Sequence, residues 1–177
     1  MAKLAQRLSA LNIGSPLDER TEFGPVTHRQ HQLKLGEFFA KARAENNTIV
    51  HGGNLIDRPG CYVEPTVILA NTVNDTLLNE ETFGPIATFF PYDCEEELLE
   101  LMNNTPYGLS ASLWTNDLSK ALRMVPDIEA GTVWVNMHTM LDPAVPFGGN
   151  KSSGVGREFG SAFIDDYTEL KSVMIRY

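Results

Sequence analysis

Apolar residues recur at helical spacing from the start of the chain. Leu4, Leu8 and Leu11 lie on one stripe, which predicts an amphipathic helix over residues 2–11. Gly14-Ser15-Pro16 ends it, and residues 12–27, polar and carrying Gly24-Pro25, read as a long loop. A second helix is expected from Thr27 or His28 to Glu45. Leu33, Leu35, Phe38, Phe39 and Ala42 supply its apolar side, and Gly36 weakens it. The period then shortens. Thr48-Ile49-Val50-His51 predicts a short strand, and Tyr62 to Leu69 a second, where Pro65 argues for an edge or a bulge. Ile86 to Phe90 reads as a buried strand after Gly84-Pro85. Asp93, with Glu96 three residues on, forms a capping box for a helix to about Asn103. Leu109 to Thr115 and Gly131 to Val135 read as strands around a helix that Asp117 caps and that runs from Leu118 to about Val125. A short helix is expected over residues 158–165. Thr168 to Arg176 alternates strictly and predicts a terminal strand whose open edges seek a partner. Helices alternating with strands point to an α/β fold with parallel pairing. Ligands in such sheets gather at the carboxyl ends of strands, and residues 136–147 begin at one.

Composition narrows the function classes. The 177 residues suffice for one respectable core, and 42% hydrophobic with 21% charged content is ordinary for a soluble globular domain. A formal charge of −9 repels phosphate backbones and disfavours nucleic-acid binding. No apolar run reaches the ~18 residues that a membrane span needs. Met1 to Arg7 has neither an apolar core nor a cleavage site, so no signal peptide is expected and a cytoplasmic location is. Cys61 and Cys94 are then expected as reduced thiols, and the Asn-x-Thr strings at Asn46, Asn74 and Asn103 read as chance.

The heptapeptide Asn79-Glu80-Glu81-Thr82-Phe83-Gly84-Pro85 carries the first candidate chemistry. In an extended chain Glu81 and Phe83 point to one side. A carboxylate that accepts from a diol, beside an aromatic ring, suits a nicotinamide riboside. The competing reading is a solvated glutamate and a core phenylalanine. His28 and His31 share a helical face, but no further ligand lies near them in sequence, so a solvated helix start is expected and no metal site. Cys94 sits at a helix start, which favours a thiolate, yet Glu95, Glu96 and Glu97 oppose it. No catalytic role is assigned to it or to Cys61. Gly154 to Gly160 has the wrong spacing and no leading strand for a dinucleotide loop, and Gly149 to Gly154 has Val155 where a phosphate loop needs lysine. A tightly turning connection is expected instead.

Four strings in order carry a resemblance across about residues 14–177. They are the heptapeptide; Tyr107-Gly108-Leu109-Ser110-Ala111 after Asn103-Asn104-Thr105; Gly131-Thr132-Val133-Trp134-Val135-Asn136; and Pro146-Phe147-Gly148-Gly149-Asn150-Lys151-Ser152-Ser153-Gly154-Val155-Gly156-Arg157-Glu158. Together they resemble the C-terminal part of the aldehyde dehydrogenase superfamily. The loop with Gly14-Ser15-Pro16 and Gly24-Pro25 resembles the connector that follows the family's catalytic helix. The resemblance implies a partial catalytic domain over residues 1–160 and a terminal oligomerisation segment over residues 161–177. It also implies that the nucleophilic cysteine, the general-base glutamate and the dinucleotide fold lie upstream, so no catalytic residue is expected in this chain.

By the same resemblance, Glu81 binds the ribose hydroxyls of NAD or NADP and Phe83 lies against the nicotinamide. Phe147 lines the aldehyde tunnel, and Asn136 anchors the pocket loop. Met137, His138, Met140 and Leu141 belong to the substrate loop, where His138 is either a substrate contact or a loop hydrogen-bonding residue. That loop and Thr168-Glu169-Leu170-Lys171-Ser172-Val173 look most like the phenylacetaldehyde and related aryl-aldehyde branch. Thr168–Tyr177 takes the role of an oligomerisation strand, implying a homo-oligomer or association with a full-length subunit. The expected function is part of an NAD(P)-dependent oxidation of an aldehyde to an acid. The alternative is a non-catalytic remnant that acts as an interaction module.

Overall fold

A computed structural model describes residues 1–161 and 163–177. In chain order the elements are α1 (Ala2–Ser9), α2 (Arg29–Ala44), β1 (Thr48–His51), β2 (Thr66–Leu69), α3 (Thr76–Asn79), β3 (Ile86–Phe89), α4 (Glu95–Asn103), β4 (Tyr107–Gly108), β5 (Ser110–Leu113), α5 (Leu118–Met124), β6 (Thr132–Val135), β7 (Asn150–Lys151) and α6 (Phe163–Tyr167). The chain divides into two compact units, Met1–Pro91 and Tyr92–Tyr177. The tail expected from residue 161 onward falls within the second unit.

The first unit is built on α2. His28 caps it, with Nδ1 accepting from the His31 N–H at 3.1 Å, which satisfies one of the free donors of the first turn. Leu35, Phe38, Phe39 and Ala42 are buried from one face of the helix. They pack with Val63, Ile68 and Leu77, each large side chain contributing about 1.5–3 kcal/mol of transfer free energy. Leu33, expected on that face, is instead exposed. Buried Gln32 donates to the Tyr62 carbonyl at 2.7 Å, so helix and strand entry are tied by a polar contact inside the core. The sheet order is β1-β2-β3, antiparallel then parallel. Pro65 confines the second strand to Thr66–Leu69, with only an isolated bridge at Val63 before it. β3 alternates between half-buried and exposed residues, where a buried strand was expected. It is a sheet edge, covered on one face only.

In the second unit β5 and β6 pair in parallel, as the alternation of helices and strands predicts. Leu113 and Val135 pack with Ala121 and Met124 of α5 and with Leu98 and Leu99 of α4. Asp117 caps α5 by accepting from the Lys120 N–H at 3.0 Å. The expected box at α4 is displaced by one residue. Cys94 is the N-cap and makes no capping bond, while Glu97 reaches back to the Asp93 N–H at 2.7 Å. The strand expected over 109–115 is interrupted at Leu109, because β4 turns to pair with β7. Of the helix expected over 158–165, Ala162 lies outside the described residues, and the helix that forms is Phe163–Tyr167. Glu158 instead exchanges two backbone bonds with Phe147. Thr168–Tyr177 forms no ladder, because a strand is defined by a partner and none among the described residues pairs with it. Among the described residues no helix is long and apolar enough to cross a membrane.

Candidate active-site walls

Each of the two units carries some of the expected site residues. In the first, Gly84 packs so closely on Leu35 that an added Cβ would come within 2.5 Å of its side chain. That approach draws the heptapeptide against the start of α2. Phe83 holds φ +51°, a left-handed value, so Glu81 and Phe83 are not related by the extended geometry expected of them. They meet on one cleft all the same, with a volume of about 770 Å³, which Thr27, His28, His31, Lys34 and Glu37 also line. Phe83 is 78% exposed, which overturns the core reading and leaves its ring free to stack.

The expected solvated helix start holds for His28, which is exposed, and fails for His31, whose Nε2 is buried without a hydrogen-bond partner. Sequence reasoning missed that orphaned atom; the three-residue spacing of the histidines brings the ring centroids to 6.1 Å, but spacing alone does not report burial. The cleft thus offers a carboxylate acceptor, an open aromatic face and an ammonium group. That set fits the diol and flat ring of a nicotinamide riboside. Among the described residues no three His, Cys, Asp or Glu side chains group as metal ligands.

In the second unit the candidate loop begins at the carboxyl end of β6. Asn136 turns the chain out at φ +56°, a conformation asparagine tolerates. Its side chain accepts from the Thr115 N–H at 2.9 Å and donates to the Thr115 carbonyl at 2.8 Å, tying the exits of β5 and β6 together. Met137 is half-buried, whereas His138, Met140 and Leu141 are exposed. His138 Nδ1 lies 2.6 Å from Ser112 Oγ, so the ring takes a loop hydrogen-bonding role. Phe147 is half-buried on a separate cleft of about 490 Å³, shared with Leu109, Arg157, Glu158 and Tyr167.

Behind Phe147 the glycine-rich run turns tightly. A Cβ on Gly149 would meet the Ser153 backbone at 2.5 Å, and Gly156 holds φ +82°. Arg157, which carried no expectation, gathers this run: its guanidinium donates to the Gly149 and Gly156 carbonyls at 2.8 Å each and to Asn150 Oδ1 at 2.5 Å. The spacing of Gly154, Gly156 and Arg157 is its only sequence signal. Tyr167 donates to Glu158 Oε1 at 2.7 Å, and that bond to a carboxylate holds the phenol above its ordinary pKa.

Cys94 is exposed and Cys61 half-buried, and both are free thiols. The Glu96 carboxyl lies below its usual range, held first by its own N–H and then by the Cys94 thiol.

The aldehyde dehydrogenase family model matches residues 1–173. The chain belongs to the aldehyde dehydrogenase family. It is 42% identical over 175 residues to a betaine aldehyde dehydrogenase of Cereibacter sphaeroides, covering 99% of this chain and 36% of that protein. A 2-hydroxymuconic semialdehyde dehydrogenase of a Pseudomonas species is 39% identical over 181 residues, covering 99% and 37%. The NAD+ complex of an aldehyde dehydrogenase from Bacillus cereus superposes with a TM-score of 0.93 at 36% identity, over 97% of this chain and 35% of that one. The chain therefore spans about a third of the length of the aldehyde dehydrogenases it matches. None of these relatives is named for an aryl aldehyde, so the expected aryl branch finds no support among them.

Proposed function

We propose that this chain is the C-terminal part of an NAD(P)-dependent aldehyde dehydrogenase, and that it builds walls of the active site rather than its nucleophilic centre. The observation that carries this reading is the placement of Glu81 and Phe83 on one cleft, within a chain matched to the family over residues 1–173. Glu81 accepts from the ribose hydroxyls, Phe83 lies against the nicotinamide, and Lys34 and His31 close the wall beside them. The bound cofactor supplies the hydride acceptor. Met137, Met140 and Leu141, with Phe147 from its own cleft, present apolar surface to the aldehyde. The relatives named above shift the expected substrate from an aryl aldehyde toward betaine aldehyde or a semialdehyde.

The test uses the purified chain with betaine aldehyde, phenylacetaldehyde and NAD+ or NADP+, read as reduced cofactor. No turnover is expected, because no group in these residues is placed as nucleophile and base. Turnover would sink the reading and turn attention to Cys94 and Cys61. Nicotinamide mononucleotide is expected to bind weakly and to perturb resonances of Glu81 and Phe83. Glu81→Gln weakens it by about tenfold or more, the usual scale for a hydrogen bond to a charged group.

A second reading rests on Thr168–Tyr177. Leu170, Met174 and Tyr177 are fully exposed there. We propose that this segment adds as a strand to a second copy or to a full-length subunit. The same purified chain then sediments as more than a monomer and returns to monomer when residues 168–177 are removed. A monodisperse monomer with the segment intact would refute this assignment.

A further inference from the structure

Ser112 and Trp134 sit opposite each other across the parallel β5–β6 pair. Side chains alternate along a strand, so Leu113 and Val135 point the other way. Those two enter the core with α4 and α5. The face left to Ser112 and Trp134 is met by the loop that leaves β6. His138 Nδ1 lies 2.6 Å from Ser112 Oγ, and the imidazole meets the indole edge-on, with centroids 5.2 Å apart at 79°. Two residues further, the Trp134 Nε1–H donates to the Met140 carbonyl at 2.9 Å. The loop is therefore pinned twice to neighbouring residues of two strands.

Thr139 stands between the pins at φ +59°. A β-branched residue reaches that region only against steric resistance and keeps it where its surroundings over-determine it. Its hydroxyl donates only to the His138 carbonyl, at 2.8 Å, a local bond that does not hold the turn against the sheet. The two pins do.

We propose that Ser112 and Trp134 are positioning residues that set the shape of the 137–142 loop, and with it the choice among aldehydes, by latching His138 and the Met140 carbonyl. This deepens the reading of that loop as aldehyde-facing and rests on it. The His138 Nδ1 is committed to Ser112, so the ring acts as a latch. Met140 and Leu141 remain exposed and are the side chains presented to substrate. The shape of that surface sets how an apolar substituent on the aldehyde is weighed against a charged one.

The test is nuclear magnetic resonance on the full 177-residue chain, which needs no turnover. In the unchanged chain the Trp134 indole proton is expected to exchange on the order of tenfold more slowly than that of exposed Trp114. Ser112→Ala removes that protection and shifts the amides of residues 137–141, while those of Leu113 and Val135 stay in place. Ser112→Thr, which keeps the hydroxyl, restores the unchanged spectrum. Equal exchange of the two indoles, or loop amides unmoved by Ser112→Ala, would overturn the latch. Ser112 is only half-buried, so its alanine variant folds. Selectivity is read separately, in the enzyme that carries this sequence. There Ser112→Ala changes the ratio of kcat/KM between apolar and charged aldehydes by about threefold or more, with the KM for cofactor unchanged. A latch that breaks with no change in that ratio overturns the loop's assignment to substrate and leaves the geometry standing.

Discussion

Replacing Phe39 by alanine is expected to cost about 3–5 kcal/mol of stability. Phe39 is 1% exposed and lies on the buried face of α2, among Leu35, Val63, Ile68 and Leu77. Truncation removes the transfer free energy of the ring and leaves a cavity that α2 and the sheet cannot close without moving together. Leu33→Ala provides the contrast. Leu33 belongs to the same helix, but it is 47% exposed, so its loss is expected to cost under about 1 kcal/mol. Urea unfolding of the first unit, followed by a probe within residues 1–91, measures both. Equal effects would mean that the α2 packing described above is wrong.

The second large effect is expected at Gly131. A Cβ there would collide with the Gly148 carbonyl, so backbone meets backbone and no flexible side chain can give way. Gly131 also donates its N–H to the Gly108 carbonyl at 2.9 Å, which holds the entry of β6 beside the end of β4. Gly131→Ala forces these segments apart and is expected to destabilise the second unit by about 3 kcal/mol, at the upper end of the range for overpacking. Gly24→Ala, where nothing lies within 4 Å of the added carbon, stays within about 0.5 kcal/mol of the unchanged chain. A Gly131→Ala protein with an unchanged midpoint would remove the close approach from the account.

What could be read from the sequence was local. The limits of α2, the strand Thr48–His51 and the helix after Asp117 follow from apolar period and capping chemistry within a few residues. The parallel pairing of β5 and β6 follows from the helix that separates them. The errors arise where a partner distant in sequence decides. An apolar run at Ile86–Phe89 does not reveal that only one face is covered. Nothing in the composition of the heptapeptide places Phe83 in the left-handed region, since that depends on Gly84 against Leu35. Glu81 and Phe83 still line one cleft, by a backbone path other than the extended one that the sequence suggests. Ser112 escaped notice for the same kind of reason, as its meaning comes from His138, in a loop that folds back over its strand.

The clasp between β4 and β7 bears on how the second unit moves. It joins Tyr107 and Gly108 to Lys151 and Asn150, with the whole of residues 109–149 enclosed between them. Lys151 tightens it by reaching the Asn103 carbonyl at 2.7 Å and Glu129 at 2.6 Å. Closing so long a loop carries an entropic cost that short-range contacts do not, so the enclosed β5–α5–β6 crossover is expected to gather first and the clasp to zip afterwards. Run backwards, the same order makes the clasp an early piece to open. Leu109 and the Phe147–Gly149 wall, which adjoin it in sequence, then breathe at the rate of that local opening and not at the far slower rate of global unfolding.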